Sequence, residues 1–149
     1  MALRKPLVVG GDGRPQQLQA GDTLTGPFAE NETQNWTNGD SAGHSIGNVV
    51  YLSAGDTVKR AQANAAGTSG AVAIATGTIA AGAVGGYQTN GTLSGLTGLT
   101  AGATYYLDPA AVGGMTTTCP TTVGQLVCIL GIAVSATEFL IRIREPIQL

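Results

Sequence analysis

Between Leu99 and Ile143, four short β-favouring runs are cut apart by turn chemistry, and no other stretch limits the possible folds so tightly. Thr104–Leu107 is β-branched and aromatic and stops at Asp108-Pro109. Met115–Thr118 follows the Gly113-Gly114 turn. Leu126–Val134 is a long apolar run entered through Gly124 and interrupted by Gly131. Glu138–Ile143 alternates, with Phe139, Ile141 and Ile143 on one face and Leu140, Arg142 and Arg144 on the other. Apolar runs bounded by Gly, Pro and Asp are the mark of antiparallel sheet. The expected class is therefore all-β, a small sandwich or barrel built of antiparallel hairpins.

The rest of the chain extends that pattern. Residues 1–25 read as an N-terminal arm with the first short strands: Pro6–Val9, a Gly10–Gly13 turn, then Gln16–Gln19. The Gly10–Gly13 turn lacks the Lys and Ser/Thr with which a P-loop holds phosphate. Residues 26–45 are polar apart from Phe28 and Trp36 and predict a long exposed loop, a length usually tied to function or disorder. Residues 46–149 form the β-domain of what is one domain overall. In it Asn48–Leu52 and Thr57–Ala61 make a hairpin, Ala71–Ile79 and Val84–Thr89 are further strands, and Asn90-Gly91 predicts a hairpin turn. Gly47-Asn-Val-Val-Tyr-Leu52 corresponds to Gly102-Ala-Thr-Tyr-Tyr-Leu107, and Gly77-Thr-Ile-Ala80 to Gly131-Ile-Ala-Val134. Features in the same order recur about 55 residues apart, an internal pseudo-repeat of two four-stranded units.

Charged residues make up 11% of the 149, against a usual value of about 25%, so the surface is either coated with Thr, Ser, Asn and Gln or covered by partners. A net charge of −2 gives no footprint for nucleic acid. No stretch approaches the roughly 20 apolar residues of a membrane span, and the opening apolar run is too short for a signal peptide. The expectation is a protein made in the cytoplasm that binds neither nucleic acid nor membrane.

Catalytic chemistry is sparse. His44 is the only histidine and stands at the end of a polar loop, where a solvent-facing side chain is expected. Asp12, Asp22, Asp56 and Asp108 sit beside Gly or Pro as turn caps rather than in acid–base pairs. Cys119 and Cys128 are read as free thiols packed as small hydrophobes, although a hairpin disulfide between them is conceivable. The reading is no enzyme, no cofactor and no metal. Binding candidates are clearer. Arg4 and Lys5 offer charge, Pro6, Leu7, Val8 and Val9 offer a strand for a partner's sheet edge, and Trp36 either covers a sheet edge or anchors in a partner's pocket. Ile147 and Leu149, after Pro146, would be exposed on a monomer and are the candidate oligomer contact.

These residues resemble a family. Ala2-Leu-Arg-Lys-Pro-Leu-Val-Val9, Gln16-Gln-Leu18 and Ala20-Gly-Asp-Thr-Leu24 are similar to the opening of virion proteins of tailed bacteriophages. Gly47–Leu52, Val58–Ala61, Leu99–Asp108, Gly114–Thr118, Val123–Val127, Gly131–Ala133 and Glu138–Ile143 resemble small head decoration, or cement, proteins. The likeness covers most of the chain outside 26–45. It implies an all-β, non-enzymatic virion protein on the outer capsid surface, bound to the major capsid protein where subunits meet and stiffening the shell. It also implies a homo-oligomer, a homotrimer in preference to a dimer. Tail-fibre and baseplate segments share the same phrases, so the alternative expectation is a tail-fibre or adaptor segment binding a host receptor or saccharide.

Overall fold

The computed structural model describes residues 31–149, together with the backbone of the strands Leu7–Val9 (β1) and Pro15–Gln17 (β2). Strands of the first half are β3 (Glu32–Asn38), β4 (Val49–Ala54), β5 (Thr57–Arg60), β6 (Ala71–Ala75) and β7 (Val84–Ser94). Those of the second are β8 (Thr104–Leu107), β9 (Met115–Thr116), β10 (Leu126–Val127), β11 (Ile129–Ala133), β12 (Glu138–Ile141) and β13 (Ile147–Gln148). The fold is all-β, and no helix occurs among the described residues.

Nine strands form one sheet in the order β3-β5-β4-β6-β7-β12-β11-β8-β9, and β3 also pairs with β7. That second pairing closes β3, β5, β4, β6 and β7 into a five-stranded barrel. A repeat is visible in the connectivity, with β4 matching β8, but Gly77–Ala80 does not correspond to Gly131–Val134, since the first follows β6 and the second lies mostly in β11. Order β5-β4-β6-β7 in the first half recurs as β9-β8-β11-β12 in the second, and the halves join through β7 and β12. β10 pairs with β13, and β1 with β2, as separate two-stranded sheets.

The structure corrects several strand boundaries. The Asn90-Gly91 pair does not reverse the chain, because β7 runs straight through it. Gly91 has φ of +86°, and the Asn31 side chain occupies the place where a Cβ would project. Asn31 Oδ1 accepts a bond from the Thr92 amide at 2.8 Å. The pair therefore supplies a bend where β7 leaves the barrel, with Gly91–Ser94 pairing with β12. The predicted 26–45 loop contains β3, parallel to β5 and antiparallel to β7. Its polar composition misled because the first five β3 or adjacent side chains face water, leaving Trp36 and Asn38 to turn inward. The run Leu126–Val134 is two strands parted at Cys128, which belong to different sheets. Ala71–Ile79 ends as a strand at Ala75, and Ile79 then makes a single bridge with His44. Met115–Thr118 shortens to Met115–Thr116.

Two apolar clusters result from the alternation of strand side chains. Val50, Val58, Ala73, Ala75, Ile79 and Tyr87 fill the barrel, with Trp36 packed against them. Val49 and Ile74, pointing the other way from the same strands, meet Leu107, Leu130, Phe139 and Ile141 under the second half-sheet. Tyr105 and Phe139 pack edge to face there, with ring centroids 5.7 Å apart. Each fully buried Ile, Leu or Phe of these clusters contributes about 1.5–3 kcal/mol of transfer free energy. The barrel is thus plugged by its own side chains, and its outer wall is the floor of the second core.

Candidate functional site

A polar chain closes one end of the barrel. Its backbone frame is the segment after β3, where His44 and Ile79 exchange amide bonds of 2.8 and 2.9 Å. Asn38, fully buried, holds that segment by donating from Nδ2 to the carbonyls of Ala42 at 3.0 Å and Ile79 at 3.2 Å. Its Oδ1 accepts from the Asp40 amide at 2.9 Å. In this frame His44 Nδ1 lies 2.9 Å from the Tyr87 hydroxyl, and His44 Nε2 lies 2.9 Å from Asp40 Oδ2. The same carboxylate oxygen accepts from the Arg60 amide and from Arg60 Nε, both at 3.0 Å.

Electrostatics follow from that geometry. Burial pushes the Asp40 carboxyl up, but the Arg60 amide, His44 and the Arg60 guanidinium together hold it below its usual 3.8. Burial, reinforced by the Asp40 charge, pushes the Tyr87 phenol above 10.0. The order Tyr–His–Asp resembles a proton relay, yet His44 and Tyr87 are both 0% exposed, so a substrate atom has no approach to either ring nitrogen. As built, the chain satisfies buried polar groups and locks the barrel end.

His44 is therefore not solvent-facing, as its loop position predicted. Nothing short-range in the sequence announces Tyr87 as its partner, since they are joined only by the barrel closure. The Asp40–His44 spacing is the one local signal.

The predicted contact residues are scattered. Arg4, Lys5 and Pro6 lie outside the described residues, and Leu7, Val8 and Val9 form β1, in register with Gln17, Gln16 and Pro15. Trp36 is half-buried on β3 and stacks on Tyr87 with ring centroids 6.1 Å apart. Ile147 and Leu149 keep exposed side chains, 67% and 43%, while their backbone is tied to 124–127. The two cysteines are free. Cys128 is buried, its thiol pushed up to about 11 chiefly by burial, whereas Cys119 is exposed rather than packed as expected.

Among the described residues, shallow hollows of about 240–370 Å³ indent the surface at three places. One is rimmed by Arg144, Glu145 and Thr89, another by Ile46, Leu96 and Met115, and the third by Cys119, Pro120 and Gln125. The polar chain opens into none of them. Among the described residues no group of three or more His, Cys, Asp or Glu side chains converges as a metal site, and no helix is long and apolar enough to cross a membrane. No protein-family model matches the chain, and no curated protein or solved structure matches it either.

Proposed function

We propose that this chain is a structural protein of a phage head, binding the outer capsid surface at junctions of the major capsid protein and stiffening the shell as a homo-oligomer. The observation that carries the reading is the β1–β2 hairpin. Among the described residues its strands pair only with each other, and such a hairpin can add to a partner's sheet edge. An isolated two-stranded hairpin is marginal in water, and strand addition to an exposed edge is a recurrent way of giving one a partner. The resemblance of the surrounding sequence to head decoration proteins supplies the identity of that partner. The low charge of the chain agrees with a surface that is covered in use.

Such a role needs no chemistry. A protein that binds the assembled shell and not its dissociated subunits stabilises the assembly by RT ln(1 + [L]/Kd), about 2.7 kcal/mol per site at a hundredfold excess over Kd. The test is reconstitution on capsids stripped of this protein. Wild type should bind and raise the temperature at which heads release DNA, while a version lacking residues 1–17 should fold and fail to bind. Equal binding by both removes the hairpin from the contact. Failure of wild type on heads, with binding to host cells, transfers the chain to the tail-fibre reading.

A further inference from the structure

We propose that the outward face of the second half-sheet is a two-fold interface with a second copy of this chain. Phe139 and Ile141 of β12 point into the core, so Glu138, Leu140 and Arg142 share the opposite face. The register places Thr92, Leu140, Ile132 and Thr104 side by side in one row across four strands. Ile132 is 39% exposed there, and Leu140 is half-buried. On one side of this row stand Glu138 and Val134, whose strands are joined by the bond from the Val134 amide to the Glu138 carbonyl. On the other side stand Arg142 and, across β11, Ile129 paired with Tyr106. Arg142 has no ion-pair partner among the described residues, and Glu138 bonds only weakly to the Ser135 hydroxyl, at 3.4 Å.

This face is complementary to itself in one orientation only. A two-fold axis lying in the interface along the Leu140–Ile132 row reverses the strand direction of the second copy. Glu138 then faces the partner's Arg142 and the reverse, since each lies two residues, about 7 Å, from Leu140. Val134 meets the partner's Ile129 and Tyr106, and Leu140 and Ile132 meet their own copies. Sheets packed this way stand about 10 Å apart, a gap that Glu and Arg side chains span together. Turning the axis parallel to the strands would set Glu138 on Glu138 and Arg142 on Arg142. The charge pattern thus selects both the occupant and its direction, and it specifies a pair where the family resemblance implies a trimer.

Sedimentation of the full-length protein without capsids tests this independently of head binding. Wild type should sediment as a dimer. Glu138→Arg and Arg142→Glu should each weaken the dimer at least tenfold by setting like charges together. The double variant, which restores opposite charges across the axis, should regain the wild-type dissociation constant within about threefold. Ile132→Asp, a change at an exposed position on the axis, should give monomers. A wild-type monomer or trimer, a double variant no better than the singles, or a dimer untouched by Ile132→Asp would each overturn the proposal.

Discussion

The Tyr87 hydroxyl and His44 Nδ1 stand 2.9 Å apart inside the barrel, joining β7 to the segment after β3. The Asp40 carboxylate can only accept, so His44 carries a proton on Nε2, and in the neutral imidazole Nδ1 then accepts from the Tyr87 hydroxyl. This tautomer is assigned from the bonding network. In this arrangement both His44 ring nitrogens, Asp40 Oδ2 and the Tyr87 hydroxyl all have protein partners.

Removing one link should therefore cost more than the link itself. Tyr87→Phe leaves His44 Nδ1 buried and without a donor, an expected loss of about 1–3 kcal/mol. His44→Ala leaves the Tyr87 hydroxyl without its partner and opens a cavity, while Arg60 still holds Asp40, so a loss of about 2–4 kcal/mol is expected. Urea unfolding measures both, and a double variant less destabilised than the sum of the singles verifies that they act as one chain.

Acid should weaken this end of the barrel only below the usual carboxylate range. The folded Asp40 carboxyl lies below its unfolded value of 3.8, so the native state binds its proton less readily. Its stabilisation is present above pH 3.8 and is lost as pH falls through the folded value. Asp40→Asn should be less stable at neutral pH and should lose less stability than wild type on acidification. Melting temperatures followed from pH 7 down to about 2 would show parallel curves if Asp40 contributes nothing.

How much of this was legible in sequence depends on whether the cause of each feature was local. β8, β12 and the β4–β5 hairpin were readable because alternation and turns sit within a few residues of one another. The pseudo-repeat was readable where the Gly47–Leu52 phrase recurs as Gly102–Leu107. β3 was hidden because a barrel strand with one wet face shows only Trp36 and Asn38 to the interior, and its partners β5 and β7 come later in the chain. Asn90-Gly91 misled because a positive φ serves a bend as well as a reversal. The buried chain through His44 needed barrel closure before it existed at all. The self-complementary face was half visible, since the alternation of Glu138, Leu140 and Arg142 is in the sequence while the row across neighbouring strands is not.

Gly131 should tolerate no side chain. A Cβ there would collide with the Leu140 carbonyl and press on the Phe139 ring and the Arg142 amide. Two of these obstacles are backbone of the paired strand and cannot swing aside. Gly131→Ala should cost at least about 2 kcal/mol, against about 0.5 kcal/mol or less for Gly67→Ala, where a Cβ meets nothing within 4 Å. Equal midpoints in chemical denaturation would contradict the β11–β12 register.

The thiols should separate cleanly. Cys119 is exposed, while Cys128 is buried and its thiol is held protonated up to about 11. A thiol reagent at pH 8 should titrate one equivalent in the native protein and two after denaturation. Because the folded value of Cys128 is raised from 9.0, stability should also fall as pH climbs from 9.0 towards about 11, and Cys128→Ala should flatten that slope. Two fast native equivalents would place Cys128 at the surface.

Trp36 carries the last prediction, because its two sequence readings lead to different experiments. Its ring stacks on Tyr87 at 6.1 Å with 29° between planes, and it packs on the barrel cluster from a half-buried position. Truncation to Ala strips one side of Tyr87, the residue that also orders His44. A half-buried Trp loses less than the 3–5 kcal/mol of a fully buried one, so about 2 kcal/mol is expected for the isolated protein. Trp36→Phe, which keeps an aromatic face on Tyr87, should recover most of it. At a temperature where Trp36→Ala is still folded, its binding to stripped heads should match wild type, because the lost contact is internal. If Trp36→Ala keeps full stability alone but no longer binds heads, the ring is a partner's anchor and the stacking on Tyr87 contributes nothing to the barrel.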